Sequence, residues 1–245
     1  MMLDTEAQAQ AEAELLGLLA AQAYWKSRRK LWTYYPETGP LRRELYPRHM
    51  AFFAAGAEHR ERLMLAANRV GKTEGIGGYE TALHLTGRYP DWWQGRRFNR
   101  PVRWWVAGKT NETTRDIVQG KLCGPVGFDG ARKVFAGTGL LPGDDIGPVA
   151  WKQGVSDLAD TVQVRHASGG WSTLGLKSYQ QGRGSFEGTE QDGVWLDEEP
   201  PLDVYSECVV RTMTTDGLIL LTFTPLDGMS EVVMLFLENG RMPGA

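Results

Sequence analysis

Residues 62–73 read Arg-Leu-Met-Leu-Ala-Ala-Asn-Arg-Val-Gly-Lys-Thr. The apolar start predicts a strand, the small residues that follow predict a tight loop, and Gly-Lys-Thr predicts the first turn of a helix. Such a loop binds phosphate because backbone N–H groups and a helix N-terminus converge on one point. Gly71 would let the backbone turn without a Cβ in the way, Lys72 would reach the β- and γ-phosphates of a nucleotide, and Thr73 would offer its hydroxyl to Mg²⁺.

The rest of the pattern leaves an alternative open. The full phosphate-loop pattern starts with glycine, and this sequence has Ala66 there. Because Gly-Lys-Thr alone recurs by chance, an ordinary surface turn before a helix is the alternative interpretation. A second Gly-Lys-Thr, residues 108–110, follows the apolar run 102–107 with no loop between them. We interpret this second copy as the end of a strand and not as a nucleotide site.

A second informative stretch is the apolar run 193–196, which ends in Asp197, Glu198 and Glu199. An apolar strand of a parallel sheet that ends in acids places them at the carboxyl edge, where open α/β sheets bind ligands. Phosphoryl transfer needs one acid to hold Mg²⁺ and a second acid to orient the attacking water. We therefore expect Asp197 at the metal and Glu198 at the water. Solvated acids at an ordinary strand end are the alternative.

Composition restricts the class of protein. The chain has 245 residues, 42% of them hydrophobic and 23% charged, which fits one large α/β domain. A net charge of −3 argues against a constitutively basic nucleic-acid surface, although a local patch or an oligomeric ring could still contact DNA. Two distant cysteines and four scattered histidines show no metal-ligand spacing and indicate a reduced, intracellular protein. The acidic start and the lack of an 18-residue apolar stretch predict no signal peptide and no membrane span.

The remaining periodicity predicts alternating strands and helices. Strands are expected at residues 102–107, 161–166, 172–176, 193–196 and 218–223. Helices are expected over residues 4–32, from Tyr46, and over 73–85, 111–122 and 229–238. Three glycines in the helix 73–85 indicate close packing against the sheet, and the Gly- and Pro-rich residues 123–155 indicate a long loop. The alternation is typical of a mostly parallel sheet covered on both faces.

Three later segments follow the phosphate loop in a distinctive order. They are Ser178–Thr189 (Ser-Tyr-Gln-Gln-Gly-Arg-Gly-Ser-Phe-Glu-Gly-Thr), Leu196–Pro200 (Leu-Asp-Glu-Glu-Pro) and Thr222–Leu226 (Thr-Phe-Thr-Pro-Leu). This order resembles the large terminase subunit of tailed bacteriophages, over residues 45–235, the ATPase half of that family. The resemblance implies an α/β, RecA-like P-loop NTPase fold of the additional-strand (ASCE) type, with a mostly parallel central sheet flanked by helices. It also implies an ATP-driven motor that pumps double-stranded DNA into a procapsid.

The resemblance implies roles for particular residues. Lys72 matches the phosphate-loop lysine, Thr73 and Asp197 match the Mg²⁺ ligands, and Glu198 matches the catalytic acid. The family's loop arginine, which could sense or stabilise the γ-phosphate, matches Arg69. The residues expected to contact ATP are Asn68, Arg69, Val70, Gly71, Lys72, Thr73, Glu74 and Thr224, with Tyr46, Arg48 and His49 on the adenine side. The family's adenine motif has a glutamine that residues 46–49 lack, so base recognition would fall to one of those three side chains.

Arg183 is the remaining catalytic candidate. It lies in a Gly-flanked loop shortly before the acidic strand, so it can project from the domain. A guanidinium delivered across a subunit interface stabilises transition-state charge and is worth about 10³ to 10⁵ in rate where such fingers are known. The alternative is a loop arginine that bonds a neighbouring carbonyl or carboxylate.

The resemblance also suggests a domain plan. We expect residues 1–45 to form an N-terminal helical arm, residues 46–230 to form the P-loop ATPase core, and residues 231–245 to begin a linker toward a nuclease domain. Full-length terminases carry that nuclease domain with its cluster of acids, and no second acidic cluster follows here, so we expect no DNA cleavage. The first helix, which ends in a basic cluster, either packs on its own domain or serves as a partner-binding arm.

The implied cofactors are ATP and Mg²⁺. The implied partners are double-stranded viral DNA, the portal protein, the small terminase subunit and further copies of the chain, in a homo-oligomeric ring on the portal, with a monomer in isolation as the alternative. The implied location is the cytoplasm of an infected bacterium, without membrane contact. Two other functions stay open: an assembly scaffold that binds ATP with little turnover, and a helicase-like DNA-repair ATPase, which would need a second lobe.

Overall fold

Nine strands form two sheets within the residues that the computed structural model describes, 2–67, 70–225, 228 and 230–237. The strands are β1 (Glu61–Leu65), β2 (Arg103–Gly108), β3 (Val126–Asp129), β4 (Arg132–Phe135), β5 (Ile146–Trp151), β6 (Ala159–Arg165), β7 (Trp171–Ser178), β8 (Gly193–Asp197) and β9 (Leu218–Phe223). The helices are α1 (Met2–Ser27), α2 (Pro47–Ala55), α3 (Tyr79–Thr86), α4 (Asn111–Thr113), α5 (Gly120–Cys123), α6 (Leu202–Met213) and α7 (Glu231–Leu235). Wider π-helical turns lie at Lys72–Gly78 and Thr114–Gln119, and short 3-10 helices lie at Lys30–Thr33, Arg43–Leu45, Tyr179–Gln181 and Arg183–Phe186.

The main sheet has seven strands in the order β1-β9-β8-β2-β7-β6-β5. Neighbours from β1 to β7 run parallel, and β6 and β5 add an antiparallel edge. This confirms the predicted mostly parallel sheet. β9 lies between the phosphate-loop strand β1 and the acid-bearing strand β8, where the additional-strand fold requires a further strand. The carboxyl ends of β1, β9, β8 and β2 therefore meet at one edge of the sheet, where ligands bind in open α/β folds.

Alternate residues of the central strands enter two separate cores. On one face, Trp104 of β2 and Trp195 of β8 join the core that contains α2 and α3. On the other face, Trp105 and Leu196 join the core that contains α6 and α7. Successive side chains of a strand point to opposite faces, so a strand that is covered on both sides is apolar throughout. The helices therefore cover both faces, as the sequence predicted.

Close packing explains the glycines after the phosphate loop. A Cβ on Gly77 would lie 2.1 Å from the indole ring of Trp195, and a Cβ on Gly78 would lie 2.9 Å from Leu140 Cδ1. Neither approach is possible in a close-packed interior without displacing the neighbour. The turn Lys72–Gly78 therefore lies directly on β8, which confirms the packing that the sequence predicted.

The prediction of a long loop over residues 123–155 is wrong. This region contains the separate hairpin β3–β4 and the edge strand β5. The hairpin turns at Gly130, whose φ of +60° suits a two-residue connection between the paired Asp129 and Arg132. β5 reads Ile-Gly-Pro-Val-Ala-Trp and pairs with β6 through two register shifts. An edge strand tolerates Gly and Pro because one side of it is unpaired, and these residues hide the alternation that marks a strand.

The first helix is shorter than predicted and extends away from both cores. α1 ends at Ser27, and its side chains from Ala7 onward are exposed, including the large apolar Leu15 and Leu18. Within the described residues, these side chains do not pack on their own domain. The chain joins the core immediately afterwards, where Leu31 and Tyr35 are buried. No helix of the described part of the chain is long and apolar enough to cross a membrane.

Candidate active site

A cavity of about 480 Å³ opens at the carboxyl edge of the parallel strands. The predicted site residues that line it are Gly71, Lys72, Thr73, Glu74, Asp197, Glu198 and Thr224. The phosphate loop and the acidic strand end are more than 120 positions apart in sequence, but the Thr73 hydroxyl donates a hydrogen bond to Asp197 Oδ1 over 3.0 Å. The structure therefore brings the two predicted halves of the site into contact.

The phosphate loop ends in a strained turn that only glycine adopts easily. Gly71 has a φ of +84°, and its carbonyl accepts the first helical bond from Gly75 N at 2.7 Å. The Lys72 ammonium folds over the loop and donates to the carbonyl oxygens of Ala66 and Ala67, both at 2.7 Å, and to Thr224 Oγ1 at 2.9 Å. Burial lowers the pKa of Lys72, and the Asp197 charge partly opposes this. The ammonium thus connects the loop after β1 to the end of β9.

Asp197 is held by hydroxyl groups from two other elements. Its Oδ1 accepts hydrogen bonds from Thr73 and, at 2.8 Å, from Thr222 Oγ1 of β9. The indole N–H of Trp195 donates to the same Thr222 hydroxyl at 2.8 Å, which fixes the direction of its proton. The carboxyl is 5% exposed, and burial raises its pKa to about 6.

Glu198 is exposed toward the cavity, whereas Asp197 is buried. The backbone turns sharply between them, because Glu198 has a φ of +65°. A residue other than glycine in this left-handed region costs about 1 to 3 kcal/mol and needs support from its surroundings. That support comes from Thr222, whose carbonyl accepts from Glu198 N at 3.1 Å, and from Tyr179, whose hydroxyl lies 3.0 Å from the Glu198 carbonyl oxygen.

Glu74 connects the cavity wall to two neighbouring segments. Its carboxylate pairs with Lys30 and with Lys121, the latter at 2.7 Å, and accepts a hydrogen bond from the Tyr34 hydroxyl at 2.7 Å. Burial alone would raise the pKa of Glu74, but these donors outweigh burial and lower the pKa to about 2. The Glu74 side chain thus connects the segment 30–34 and helix α5 to the helical turn that follows the phosphate loop.

The three adenine-side candidates lie outside the cavity lining. His49 is buried beside the loop, with its Nδ1 2.8 Å from the Tyr35 hydroxyl, which in turn donates to the Gly75 carbonyl at 2.6 Å. Burial lowers the pKa of His49, so the ring is neutral at pH 7. The Tyr46 ring lies tilted against it, with ring centroids 5.2 Å apart and an interplanar angle of 41°, and Arg48 is exposed. The buried His49 ring therefore lies behind the phosphate loop, close to Gly71 and Gly75.

Two catalytic candidates stand apart from this cluster. Arg183 does not line the cavity: its Nε donates to Glu207 Oε2 at 3.0 Å, and its side chain is 57% exposed. This contact is the one that the alternative interpretation of Arg183, a loop arginine bound to a neighbouring carboxylate, predicts. Arg69 and its neighbour Asn68 lie outside the described residues. Val70 is exposed beside the loop and does not line the cavity.

Comparison with known proteins identifies the family. The sequence model for the family "Terminase large subunit, T4likevirus-type, N-terminal" matches residues 63–243. The chain belongs to the large terminase subunit family. The large terminase subunit of Salmonella phage P22 is 36% identical over 247 residues, which cover 93% of this terminase chain and 46% of the phage P22 protein. The chain therefore spans about half the length of this curated relative.

Solved structures share the fold of this terminase chain. The ATPase domain of the large terminase from Thermus phage P74-26 matches with a TM-score of 0.52 and 16% identity, over 77% of this chain and 67% of that one. A point mutant of the same domain matches with a TM-score of 0.50 and 18% identity, over 74% and 65% of the two chains. At these identities the likeness concerns the fold, and it confirms the predicted RecA-like P-loop architecture.

The chemistry of the terminase site fits a divalent cation beside a phosphate. Carboxylate and hydroxyl oxygens are the ligands that Mg²⁺ prefers, and Asp197 and Thr73 place one of each within hydrogen-bonding distance. The raised pKa of Asp197 marks a buried carboxylate that a nearby cation would stabilise. The residues present therefore fit both groups that the family implies.

Two lysines of this terminase site were not predicted from the sequence. Lys109 and Lys121 line the same cavity as Lys72. Lys109 belongs to the second Gly-Lys-Thr, which is indeed a strand end, because β2 stops at Gly108. The position of Lys109 could have been predicted from the order of the strands. Because β2 and β8 are parallel neighbours, a residue that follows β2 lies at the same edge of the sheet as Asp197. Within the described residues, the Lys109 ammonium has no hydrogen-bond or ion-pair partner, so it is available to an anionic ligand.

Proposed function

We propose that this chain is the ATP-hydrolysing motor domain of a viral DNA-packaging terminase, which couples hydrolysis to translocation of double-stranded DNA into a procapsid. One observation carries the proposal: the Thr73 hydroxyl lies 3.0 Å from the Asp197 carboxylate, so the phosphate loop and the acid pair face one cavity. Either feature alone occurs in many folds, but phosphoryl transfer needs both within reach of one substrate. Membership of the large terminase subunit family supports DNA packaging as the process that ATP hydrolysis drives.

The residues of the cavity divide the proposed reaction between them. Lys72 and the backbone N–H groups after Gly71 hold the β- and γ-phosphates of ATP, while Thr73 and Asp197 hold Mg²⁺. Bound Mg²⁺ supplies positive charge against the charge that develops on the phosphate oxygens. Glu198, which is exposed to the cavity, orients the attacking water and accepts its proton.

Further contacts to ATP follow from the positions of other residues. Thr224 lies beside the Lys72 ammonium, so it would respond to the γ-phosphate and pass that change to β9. We assign the remaining loop contacts to Asn68, Arg69, Val70 and Glu74. Base recognition is assigned to the three adenine-side candidates, Tyr46, Arg48 and His49, and the buried His49 also supports the loop from behind.

The proposed motor works as an assembly. Arg183 is exposed and outside its own cavity, which suits a finger that reaches the active site of a neighbouring copy. The other proposed partners are the portal protein, the small terminase subunit and double-stranded DNA, in the cytoplasm of the infected cell. We propose residues 1–45 as the arm, 46–230 as the ATPase core and 231–245 as the start of a linker.

Phosphate release by paired variants tests the proposal. Glu198→Gln keeps the size of the side chain but removes its basicity, so the ATP turnover should fall by about 10² or more while ATP affinity stays near wild type. Glu199→Gln is the matched control, because Glu199 also lines the cavity but bonds the Ser230 hydroxyl. Its turnover should stay within about twofold of wild type.

The same assay separates the alternatives. Binding of ATP without any phosphate release that depends on Glu198 would overturn the motor and favour an assembly scaffold. Equal loss in Glu198→Gln and Glu199→Gln would show that the assignment of the catalytic acid is wrong.

A further inference from the structure

The hydroxyl of Tyr179 lies beneath the turn that carries the catalytic acid. It is 2.9 Å from the carbonyl oxygen of Asp197 and 3.0 Å from that of Glu198. A third carbonyl oxygen, that of Ala107 at the end of β2, lies 3.4 Å away. The side chain is 6% exposed, and its ring packs in the core between the sheet and α6. One buried donor thus faces the backbone of both acids.

This contact matters because the turn is strained. The φ of +65° at Glu198 persists only when neighbouring groups hold it. From the β9 side, the turn is held by one backbone bond, Glu198 N to the Thr222 carbonyl at 3.1 Å. From the opposite side, the described contacts come from Tyr179. Without that hydroxyl, the peptide between Asp197 and Glu198 could relax and move the Glu198 carboxylate away from the cavity.

The segment that carries Tyr179 is itself held rigidly. Gln181 caps its start by accepting from Ser178 N at 3.0 Å, and Gln180 N donates to the Lys109 carbonyl at 3.2 Å. Phe186, at the end of the same segment, is fully buried. The hydroxyl is therefore a fixed point, because neither end of its segment can move without breaking these contacts.

We propose that Tyr179 is a positioning residue for Glu198: its hydroxyl clamps the strained turn so that the Glu198 carboxylate faces the cavity. The inference rests on the proposed ATPase function. Tyr179 begins the segment that continues to Arg183. The Tyr179 hydroxyl therefore also connects the Asp197–Glu198 turn of one copy to Arg183, the residue proposed to reach the active site of a neighbouring copy.

Tyr179→Phe tests the clamp, since it keeps the buried ring and removes only the hydroxyl. Loss of a hydrogen bond of this kind should lower kcat roughly tenfold, with the KM for ATP within about twofold of wild type. Tyr205→Phe is the matched control. Tyr205 is buried in the same core, but its hydroxyl bonds Glu61 at the start of β1, so its kcat should stay near wild type.

A double variant separates positioning from general damage. If Tyr179 acts through Glu198, adding Tyr179→Phe to Glu198→Gln should lower the residual rate by less than about twofold. An equal tenfold loss in both backgrounds, or an unchanged kcat in Tyr179→Phe, would overturn the proposal.

Amide hydrogen exchange gives a readout that does not need hydrolysis. The Glu198 amide should exchange at least tenfold faster in Tyr179→Phe, and it should be unchanged in Tyr205→Phe, because only the first variant loosens the turn. Unchanged exchange at Glu198 would contradict the clamp. A wild-type chain whose turnover does not depend on Glu198 would instead contradict the proposed function, and the exchange result would still decide the clamp.

Discussion

Asp197 and Glu198 are adjacent in sequence, but the structure gives them different surroundings. Asp197 is buried under two threonine hydroxyls, whereas Glu198 is exposed to the cavity after a sharp backbone turn. A buried carboxylate suits a fixed cation site, and an exposed one suits a group that meets water and exchanges a proton. The roles proposed for the two acids therefore fit their burial.

Asp197→Asn should stabilise the metal-free chain and abolish its Mg²⁺-dependent turnover. The folded-state pKa of Asp197, about 6, lies above the ordinary value of 3.8, so the folded state binds the proton more tightly than the unfolded state does. The carboxyl therefore costs stability progressively as the pH rises from about 4 to about 6, and the full cost persists at pH 7. We expect a higher Tm for the variant at pH 7 in EDTA and no difference near pH 4. A lower Tm for the variant at pH 7 would contradict the burial argument.

Lys109→Ala should weaken ATP binding, because the Lys109 ammonium lines the cavity without a described partner. An exposed charge contact of this kind is worth about 1 kcal/mol, so the Kd should rise about fivefold. Lys121→Ala is the contrast, since Lys121 pairs with Glu74 and its loss should mainly lower the Tm. Titration with a fluorescent ATP analogue measures both. Equal affinity in wild type and Lys109→Ala would remove Lys109 from the site.

The geometry of the site depends on how closely the turn Lys72–Gly78 packs on β8. Gly77 allows the indole of Trp195 to lie against the backbone, and that indole donates to Thr222, which holds Asp197. Packing in the core and hydrogen bonding at the site are thus connected through one tryptophan. A change in the packing of this turn should therefore alter the position of Asp197 even though the turn residue that is changed does not contact Asp197.

Gly77→Ala should destabilise the fold by about 1 to 3 kcal/mol, because its Cβ would lie 2.1 Å from the Trp195 ring. Gly17→Ala is the matched control: Gly17 lies in the exposed helix α1, where a Cβ meets no atom within 4 Å. There the same change should stabilise the helix, by about 0.5 to 1 kcal/mol. Denaturant unfolding monitored by tryptophan fluorescence compares the two. A neutral Gly77→Ala would show that the turn can move away from β8.

Elements with a strong local signal were predictable from the sequence. The predictions matched for the apolar strands β8 and β9 and for the start of α2 at Pro47. Strand burial and the first turn of a helix are both determined by a few neighbouring residues. α6 was missed, although Val204, Cys208 and Thr212 recur every four residues and are buried. The contact of Thr73 with Asp197 followed from the order of motifs. The Lys109 position and the Tyr179 contact required the order of strands in the sheet, which no local pattern contains.

Within the described residues of one chain, the catalytic candidates do not all lie at the same cavity. Arg183 lies on the surface and pairs with Glu207, which is also 3.0 Å from Arg211 Nε. In the proposed assembly, the guanidinium would exchange this carboxylate for phosphate oxygens of a neighbouring copy. A carboxylate and a phosphate each present a pair of oxygen acceptors that an arginine can bind with two parallel N–H groups.

Mixing two inactive variants should restore turnover if the finger acts between copies. Arg183→Ala retains Glu198 but offers no finger, and Glu198→Gln retains Arg183 but has no catalytic acid. In a mixed assembly on the portal, a Glu198→Gln copy can supply Arg183 to an intact neighbouring cavity, so phosphate release should rise well above that of either variant alone. Each variant at the same total concentration is the control. No recovery in mixtures that form the same assembly would place the finger in cis, with Arg69 as the remaining candidate.

A structure of the chain with Mg²⁺ and a non-hydrolysable ATP analogue would show whether the phosphate loop and the acid pair bind one triphosphate. We expect the metal about 2.1 Å from Thr73 Oγ1, with Asp197 beside it and the γ-phosphate between Lys72 and Glu198. Triphosphate bound away from this cavity, for instance in the cavity near Arg100 and Asp192 at the opposite edge of the sheet, would contradict it.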